Sequence, residues 1–180
     1  VFIGPPVVRP EIFETLKKNK KLICLRQGEK INEWLNNIVG DDRTLHMGSS
    51  CAHIAFSFGR YVGANPIVFV GQDLAYTKEG ITHSNDVEVK NKIDIEKNKN
   101  IDYVKGIDGD LLPTSKVFKQ FLTWFELEIA KDKKNTEYID ATEGGAYIQG
   151  TKLMTLKETI EKYCKDTVIP LYHKVSICER

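Results

Sequence analysis

Short apolar runs with strand character alternate along this chain with segments of helical periodicity. Residues 21–25 form one such run, and residues 29–39 follow it with apolar side chains at every third or fourth position. Residues 66–70 read PIVFV, an uninterrupted apolar run between turn residues that suits a central strand covered on both faces. Because alternating strands and helices are typical of parallel sheets with crossover helices, we predict an α/β fold with a doubly wound, mainly parallel sheet.

Length and charge exclude several classes of protein. The chain has 180 residues, which favours a single domain over residues 1–180, and its 26 basic against 25 acidic residues leave a net charge of +1. That balance argues against a dedicated nucleic-acid-binding protein. No apolar run approaches the roughly 18 residues that a membrane span needs. The chain opens on Val1 and shows no secretory signal, so we expect a fragment of a longer, cytoplasmic protein.

The four cysteines show no metal-binding or redox spacing. None forms a C-x-x-C pair, and none lies near a histidine at zinc-ligand spacing. We interpret them as buried thiols in a reducing compartment: Cys24, Cys51, Cys164 and Cys178.

A long polar stretch interrupts the alternation at about residues 77–102. It is rich in lysine and asparagine and has little periodicity, which is typical of a lid, a binding loop or disorder. His83 lies within it, in a segment whose side chains are not expected to pack in the core. We therefore take His83 as the best candidate for a general base, with a solvated loop histidine as the open alternative.

Glycine and polar residues follow three of the predicted strands. In open parallel sheets, ligands bind beyond the carboxyl ends of the strands, so these segments are the candidate site. The three segments are Gly48-Ser49-Ser50, Gly71-Gln72-Asp73 and Glu143-Gly144-Gly145.

Each segment has a functional and a structural interpretation. Ser49 and Ser50, with backbone N–H groups at a helix N-terminus, could cradle a phosphate or carboxylate, or Ser50 could only cap the helix. Asp73 could bind a metal, accept a hydrogen bond from a ribose hydroxyl or cap the N-terminus of the next helix. The pair Gly144-Gly145 allows close backbone approach but also serves ordinary turns. The sequence leaves these alternatives open.

Several of these segments resemble the bacterial motility accessory factors, which are flagellin glycosyltransferase-like proteins. The resemblance covers roughly residues 40–160, and its most specific part is the strand with the GQDLAY motif in residues 65–76. It also includes GSSCAH at residues 48–53, Thr82-His83 and the run ATEGGAYIQGT at residues 141–151.

The resemblance implies a Rossmann-like, three-layer, sialyltransferase-like domain. Such proteins transfer a nonulosonic, sialic-acid-like sugar from a CMP-activated donor to Ser or Thr of flagellin or another acceptor, with no required metal or other cofactor. By the same resemblance Ser49 and Ser50 would face the donor, and Tyr76 would match a donor-site tyrosine. Gly71-Gln72-Asp73 would match the Gly-x-Asp segment that follows the next strand. His83 would correspond to a lid histidine that acts as the base.

Two alternatives belong to other functional classes. The same wider family includes archaeal enzymes that diphosphorylate 6-hydroxymethylpterin, which would need ATP and Mg²⁺ with Asp73 facing the metal. The chain has no G-x-x-x-x-G-K loop and no second carboxylate clearly paired with Asp73 in the sequence. The third reading is a non-catalytic module that binds flagellin or a sugar.

Overall fold

The computed structural model describes residues 2–40, 44–78, 80–81, 95, 98 and 100–165. These residues fall into two compact units, one from Val1–Met47 with Cys164–Arg180 and one from Gly48–Tyr163. A single domain over residues 1–180 stays a prediction. The strands are β1 (Phe2–Gly4), β2 (Lys21–Ile23), β3 (Ile67–Phe69), β4 (Ile101–Lys105), β5 (Leu111–Ser115), β6 (Tyr138–Asp140) and β7 (Lys152–Leu153). The helices are α1 (Pro10–Thr15), α2 (Lys30–Val39), α3 (Cys51–Tyr61), α4 (Lys116–Ala130) and α5 (Leu156–Tyr163).

The first unit is built on a parallel strand pair joined by a helix. Strands β1 and β2 pair in parallel with Gly4 opposite Ile23, and α1 supplies the crossover that a parallel pair needs. The sequence analysis missed both β1 and α1, although Pro10 stands in the first turn of α1, where proline favours a helix start. The predicted helix of residues 29–39 is confirmed as α2, which ends at the left-handed Gly40.

The second unit contains a three-stranded parallel sheet in the order β3-β6-β7. The prediction of a strand in residues 66–70 is confirmed. The prediction that this strand is central is wrong, because it lies at an edge of the described sheet. Within the part of the chain that the structure describes, β3 pairs only with β6, whereas β6 is flanked on both sides and buries all three of its residues. Val70, which follows β3, is exposed, and no strand of the described sheet covers that edge.

An antiparallel hairpin completes the second unit. Strands β4 and β5 pair with Ile101 opposite Ser115, and α4 packs on both. The hairpin is tied to the loop after β3 by the buried Thr114 hydroxyl, which donates to the carbonyl oxygen of Leu74 at 2.7 Å. Strand β4 begins at Ile101, inside the predicted loop of about residues 77–102.

The core of the second unit is largely aromatic. Phe125 of α4 is fully buried, and its ring centroid lies 5.1 Å from that of Phe69 and 5.4 Å from that of Phe56. This arrangement packs the aromatic residues of α4 on the sheet. It anchors α3 and α4 to β3, so the loop that leaves β3 starts from a rigid base.

The fold is mixed α/β with parallel strand pairs, which is compatible with the predicted Rossmann-like class. Among the described residues, no helix is long and apolar enough to cross a membrane. Cys24 is buried as predicted, and burial raises the pKa of its thiol. The prediction is wrong for Cys51 and Cys164, which are exposed because they stand at the first residue of α3 and just beyond α5; Cys178 lies outside the described residues.

Candidate functional site

Two loops interlock at the carboxyl ends of the neighbouring parallel strands β3 and β6. The backbone N–H of Gln72 donates to the hydroxyl oxygen of Thr142 at 3.2 Å. The backbone N–H of Ala146 donates to the carbonyl oxygen of Asp73 at 2.7 Å. The structure thus brings together two of the predicted segments, Gly71-Gln72-Asp73 and Glu143-Gly144-Gly145, although they lie far apart in the sequence.

Close backbone contact makes glycine necessary at one position of this interlock. Gly145 has φ +74°, and a Cβ atom there would overlap the backbone of Asp73. Gly144 differs, since a Cβ atom on it would meet nothing within 4 Å. Of the predicted glycine pair, Gly145 is therefore the one that the close approach requires.

The same two loops contain strained backbone. Leu74 has φ 48° and Glu143 has φ 62°, in the left-handed region that side chains other than glycine rarely adopt. Such residues cost about 1–3 kcal/mol each and cluster at ligand-binding and active sites. The strain points to the interlocked loops as the functional part of the second unit.

Asp140, the last residue of β6, is a buried carboxylate in the middle of this site. It is 2% exposed, and its Oδ1 accepts a hydrogen bond from the backbone N–H of Thr142 at 3.1 Å. Its Oδ2 has no hydrogen-bond partner among the described residues. Burial raises the pKa of Asp140, the hydrogen bonds from Thr142 oppose that effect, and the negative charge of nearby Asp73 adds to it.

Asp140 supplies the second carboxylate that the sequence analysis did not find beside Asp73. The signal for it in the sequence is an acidic residue at the carboxyl end of a short apolar run. Asp73 itself is exposed at the surface of its loop, close enough for its charge to affect Asp140.

The Gly48-Ser49-Ser50 turn is fixed by the helix that follows it. The Ser50 hydroxyl accepts from the backbone N–H of His53, and the His53 Nδ1 accepts from the backbone N–H of Ser50, both at 3.2 Å. The open alternative that Ser50 caps α3 is therefore confirmed. Ser49 is exposed, and a role of Ser49 and Ser50 in phosphate binding stays a prediction.

His53 is a core histidine that holds this turn in place. It is 1% exposed, and its Nε2 lies 3.3 Å from the carbonyl oxygen of Phe121. With Nδ1 accepting from Ser50, Nε2 carries the proton and donates to that carbonyl. A Cβ atom on Gly48 would overlap the His53 ring, so the turn needs glycine at position 48.

Of the two predicted catalytic residues, Tyr76 lies within the described residues and His83 does not. Tyr76 is buried, its ring centroid lies 5.6 Å from that of Phe118, and its backbone N–H donates to the carbonyl oxygen of Pro113. These contacts give Tyr76 a packing role, and its role at a donor stays a prediction. His83 lies outside the described residues, and its role as a base also stays a prediction.

Comparison with known protein families gives a match over the first part of the chain. Residues 1–79 match the family described as 6-hydroxymethylpterin diphosphokinase MptE-like. The matched region includes Gly48-Ser49-Ser50 and Gly71-Gln72-Asp73, and it ends before Asp140. The match agrees with the diphosphokinase relationship among the alternatives, and membership of the motility accessory factors stays a prediction. Neither the curated proteins nor the solved structures gave a match to the chain.

Proposed function

We propose that this chain is a nucleotide-dependent transferase of the diphosphokinase type, which moves a diphosphoryl group from ATP to a hydroxyl group of a small acceptor. The observation that carries the proposal is the interlock of the β3 and β6 loops, which holds Asp73 near enough to Asp140 for its charge to affect that carboxyl group. The similarity of residues 1–79 to a pterin diphosphokinase family supports the same reaction class.

Transfer from ATP needs Mg²⁺, and the chemistry of the donor set fits it. Mg²⁺ in nucleotide sites keeps several waters and is bound through one or two carboxylates together with substrate phosphates. Within the described residues, no group of three or more His, Cys, Asp or Glu side chains is placed so that it could hold a metal ion, so these residues fit a metal carried by the nucleotide better than an all-protein cage. The exposed carboxylate of Asp73 would hold it. When bound, the metal neutralises phosphate charge and orients the transferred group.

The turn before α3 supports phosphate binding in this proposal. The N-terminus of a helix carries partial positive charge and unpaired N–H groups, which favour a phosphate. Gly48 lets the chain turn tightly against His53, and the exposed Ser49 adds a hydroxyl beside that N-terminus. The chain therefore has backbone donors for phosphate oxygens in one segment and a carboxylate for the metal in another.

The test is thermal unfolding with ATP, CTP and CMP, each with and without Mg²⁺. A ligand at 100 times its Kd adds about 2.7 kcal/mol, which raises the Tm of a domain of this size by about 5–10 °C. We expect the largest rise with ATP and Mg²⁺ together, and we expect Asp73→Asn to remove it. Asp110→Asn is the matched control, because Asp110 is an exposed aspartate that pairs with Lys78 at the surface. Equal responses of both variants would contradict the assignment of Asp73.

A CMP-sugar transferase is the second candidate. The exposed Ser49 and the helix N-terminus of α3 form a phosphate site that needs no metal, as transfer of a nonulosonic sugar to Ser or Thr of flagellin would require. In the same experiment this candidate predicts a rise in Tm with CMP or CTP that survives EDTA. A non-catalytic flagellin-binding or sugar-binding module predicts no response to any nucleotide.

A further inference from the structure

A cavity of about 330 Å³ opens beside the interlocked loops, in the second unit. One part of its wall is apolar and the other carries carboxylates. The apolar residues are Ile107, Leu153 and Met154, and the acidic residues are Asp140, Glu143 and Glu158.

The buried carboxylate in this wall calls for a hydrogen-bond donor. An ionised carboxylate only accepts hydrogen bonds, and a buried oxygen without a donor costs free energy. Asp140 Oδ2 is such an oxygen within the described part of the chain, and Asp140 is one of the residues that line the cavity. A ligand in the cavity that brings an N–H group or a positive charge would satisfy it.

The charge of the wall decides which kind of ligand that is. Among the residues that the structure describes, no lysine, arginine or histidine lines the cavity. Glu158 is already anchored, since its Oε2 accepts from the backbone N–H and the hydroxyl of Thr155, and hydrogen bonds from Thr155 and the charge of Lys152 hold its pKa below the usual range. Glu143 is held at the rim in a strained conformation. Such a wall repels phosphate and attracts a cation.

We propose that this cavity binds the acceptor of the transfer reaction, and that the acceptor is an organic cation with an apolar body and an ammonium or amidinium end. The cationic end meets Asp140 and Glu143, and the body packs on Ile107, Leu153 and Met154. The name "acceptor" rests on the proposed function, whereas the preference for a cation rests on the cavity alone. The volume lies at the lower end of the range for small-molecule sites, which fits a single ring.

Benzamidine and benzamide test the preference, because they have nearly the same shape and differ in charge. We expect benzamidine to bind the full chain at least tenfold more tightly than benzamide in a calorimetric or NMR titration. Asp140→Asn should weaken benzamidine binding at least tenfold. Glu161→Gln is the matched control, because Glu161 is exposed on α5 and does not line the cavity. Glu143→Gln, on the exposed rim, provides a second reduction of charge if Asp140→Asn fails to fold.

Equal affinities for the two probes, or benzamidine affinity unchanged in both acidic variants, would overturn the inference. Displacement of benzamidine by Mg²⁺ alone would also overturn it, because the cavity would then be a metal site. Benzamidine binding without any response to nucleotides would refute the proposed function alone. A response to ATP and Mg²⁺ with no preference for benzamidine would refute the cavity assignment alone.

Discussion

The backbone N–H of Ala146 donates a 2.7 Å hydrogen bond to the carbonyl oxygen of Asp73. This contact joins the loop after β6 to the loop after β3, and it holds Asp73 where its charge affects the buried Asp140. Because parallel strands place their carboxyl ends at one edge of a sheet, the two loops meet there, as ligand sites of such sheets do.

The interlock predicts opposite outcomes for two neighbouring glycines. Gly145→Ala should destabilise the fold by about 1–3 kcal/mol, because alanine is strained at φ +74° and its Cβ would overlap Asp73. It should also reduce the response to ATP and Mg²⁺. Gly144→Ala meets open space and should change the free energy of unfolding by less than about 0.5 kcal/mol. Urea denaturation measures both, and equal losses would contradict the interlock.

A comparison of the two serines that cap helices distinguishes a structural role of Ser50 from a role in ligand binding. Ser50 caps α3 and Ser115 caps α4, each by accepting from the backbone N–H three residues on. Replacing either by alanine should cost about 0.5–2 kcal/mol of stability. If the turn before α3 binds phosphate, only Ser50→Ala should also lower nucleotide affinity. A fall in affinity of the same size in Ser115→Ala would refute the phosphate role.

Alanine substitutions at Gly48 and Gly59 should change the stability of the protein in opposite directions. Gly48→Ala should be destabilising, because its Cβ would overlap the buried ring of His53. Gly59 lies inside α3, and a Cβ there would make an ordinary 3.6 Å contact with Ile67. Gly59→Ala should therefore stabilise the protein by up to about 1 kcal/mol through helix propensity. Thermal unfolding of both variants tests this, and a stable Gly48→Ala would contradict the packing of His53 on the turn.

The cluster around Asp132 predicts how stability depends on pH. Burial alone would raise the pKa of Asp132, but hydrogen bonds from Lys134, Thr136 and Tyr138 and the charge of Arg60 hold it at about 2. Since this is below the ordinary 3.8, the carboxylate stabilises the fold above pH 3.8 and loses that contribution as the pH falls towards 2. Burial and the Asp132 hydrogen bond raise the pKa of Tyr138 to about 12, so its contribution is lost only as the pH rises from 10 through 12.

Urea denaturation at pH 5 and pH 3 measures the acidic effect. We expect the wild type to lose more stability between these values than Asp132→Asn, which has no carboxyl group to protonate there. Tyr138→Phe is a partial control, because it removes one of the hydrogen bonds that lower the pKa of Asp132 while keeping the ring. An identical pH dependence in wild type and Asp132→Asn would refute the assignment.

Local sequence determined most of the helices of this protein. Helix α3 follows a serine that caps it, and α5 follows a capping box in which Thr155 and Glu158 exchange hydrogen bonds. These signals act over three or four residues, so they can be identified without knowledge of the fold. Helix α1 was missed because its six residues carry too few apolar positions to establish a period.

Tertiary structure decided which residues share the site. The sequence placed glycine and acidic residues after strands, but the pairing of β3 with β6 set Asp140 beside Asp73 and made β6 the buried middle strand of the described sheet. Strand order depends on contacts between distant segments, which no local pattern encodes. Burial then left Asp140 Oδ2 without a donor among the described residues, and the same side chain on an exposed strand would be satisfied by water.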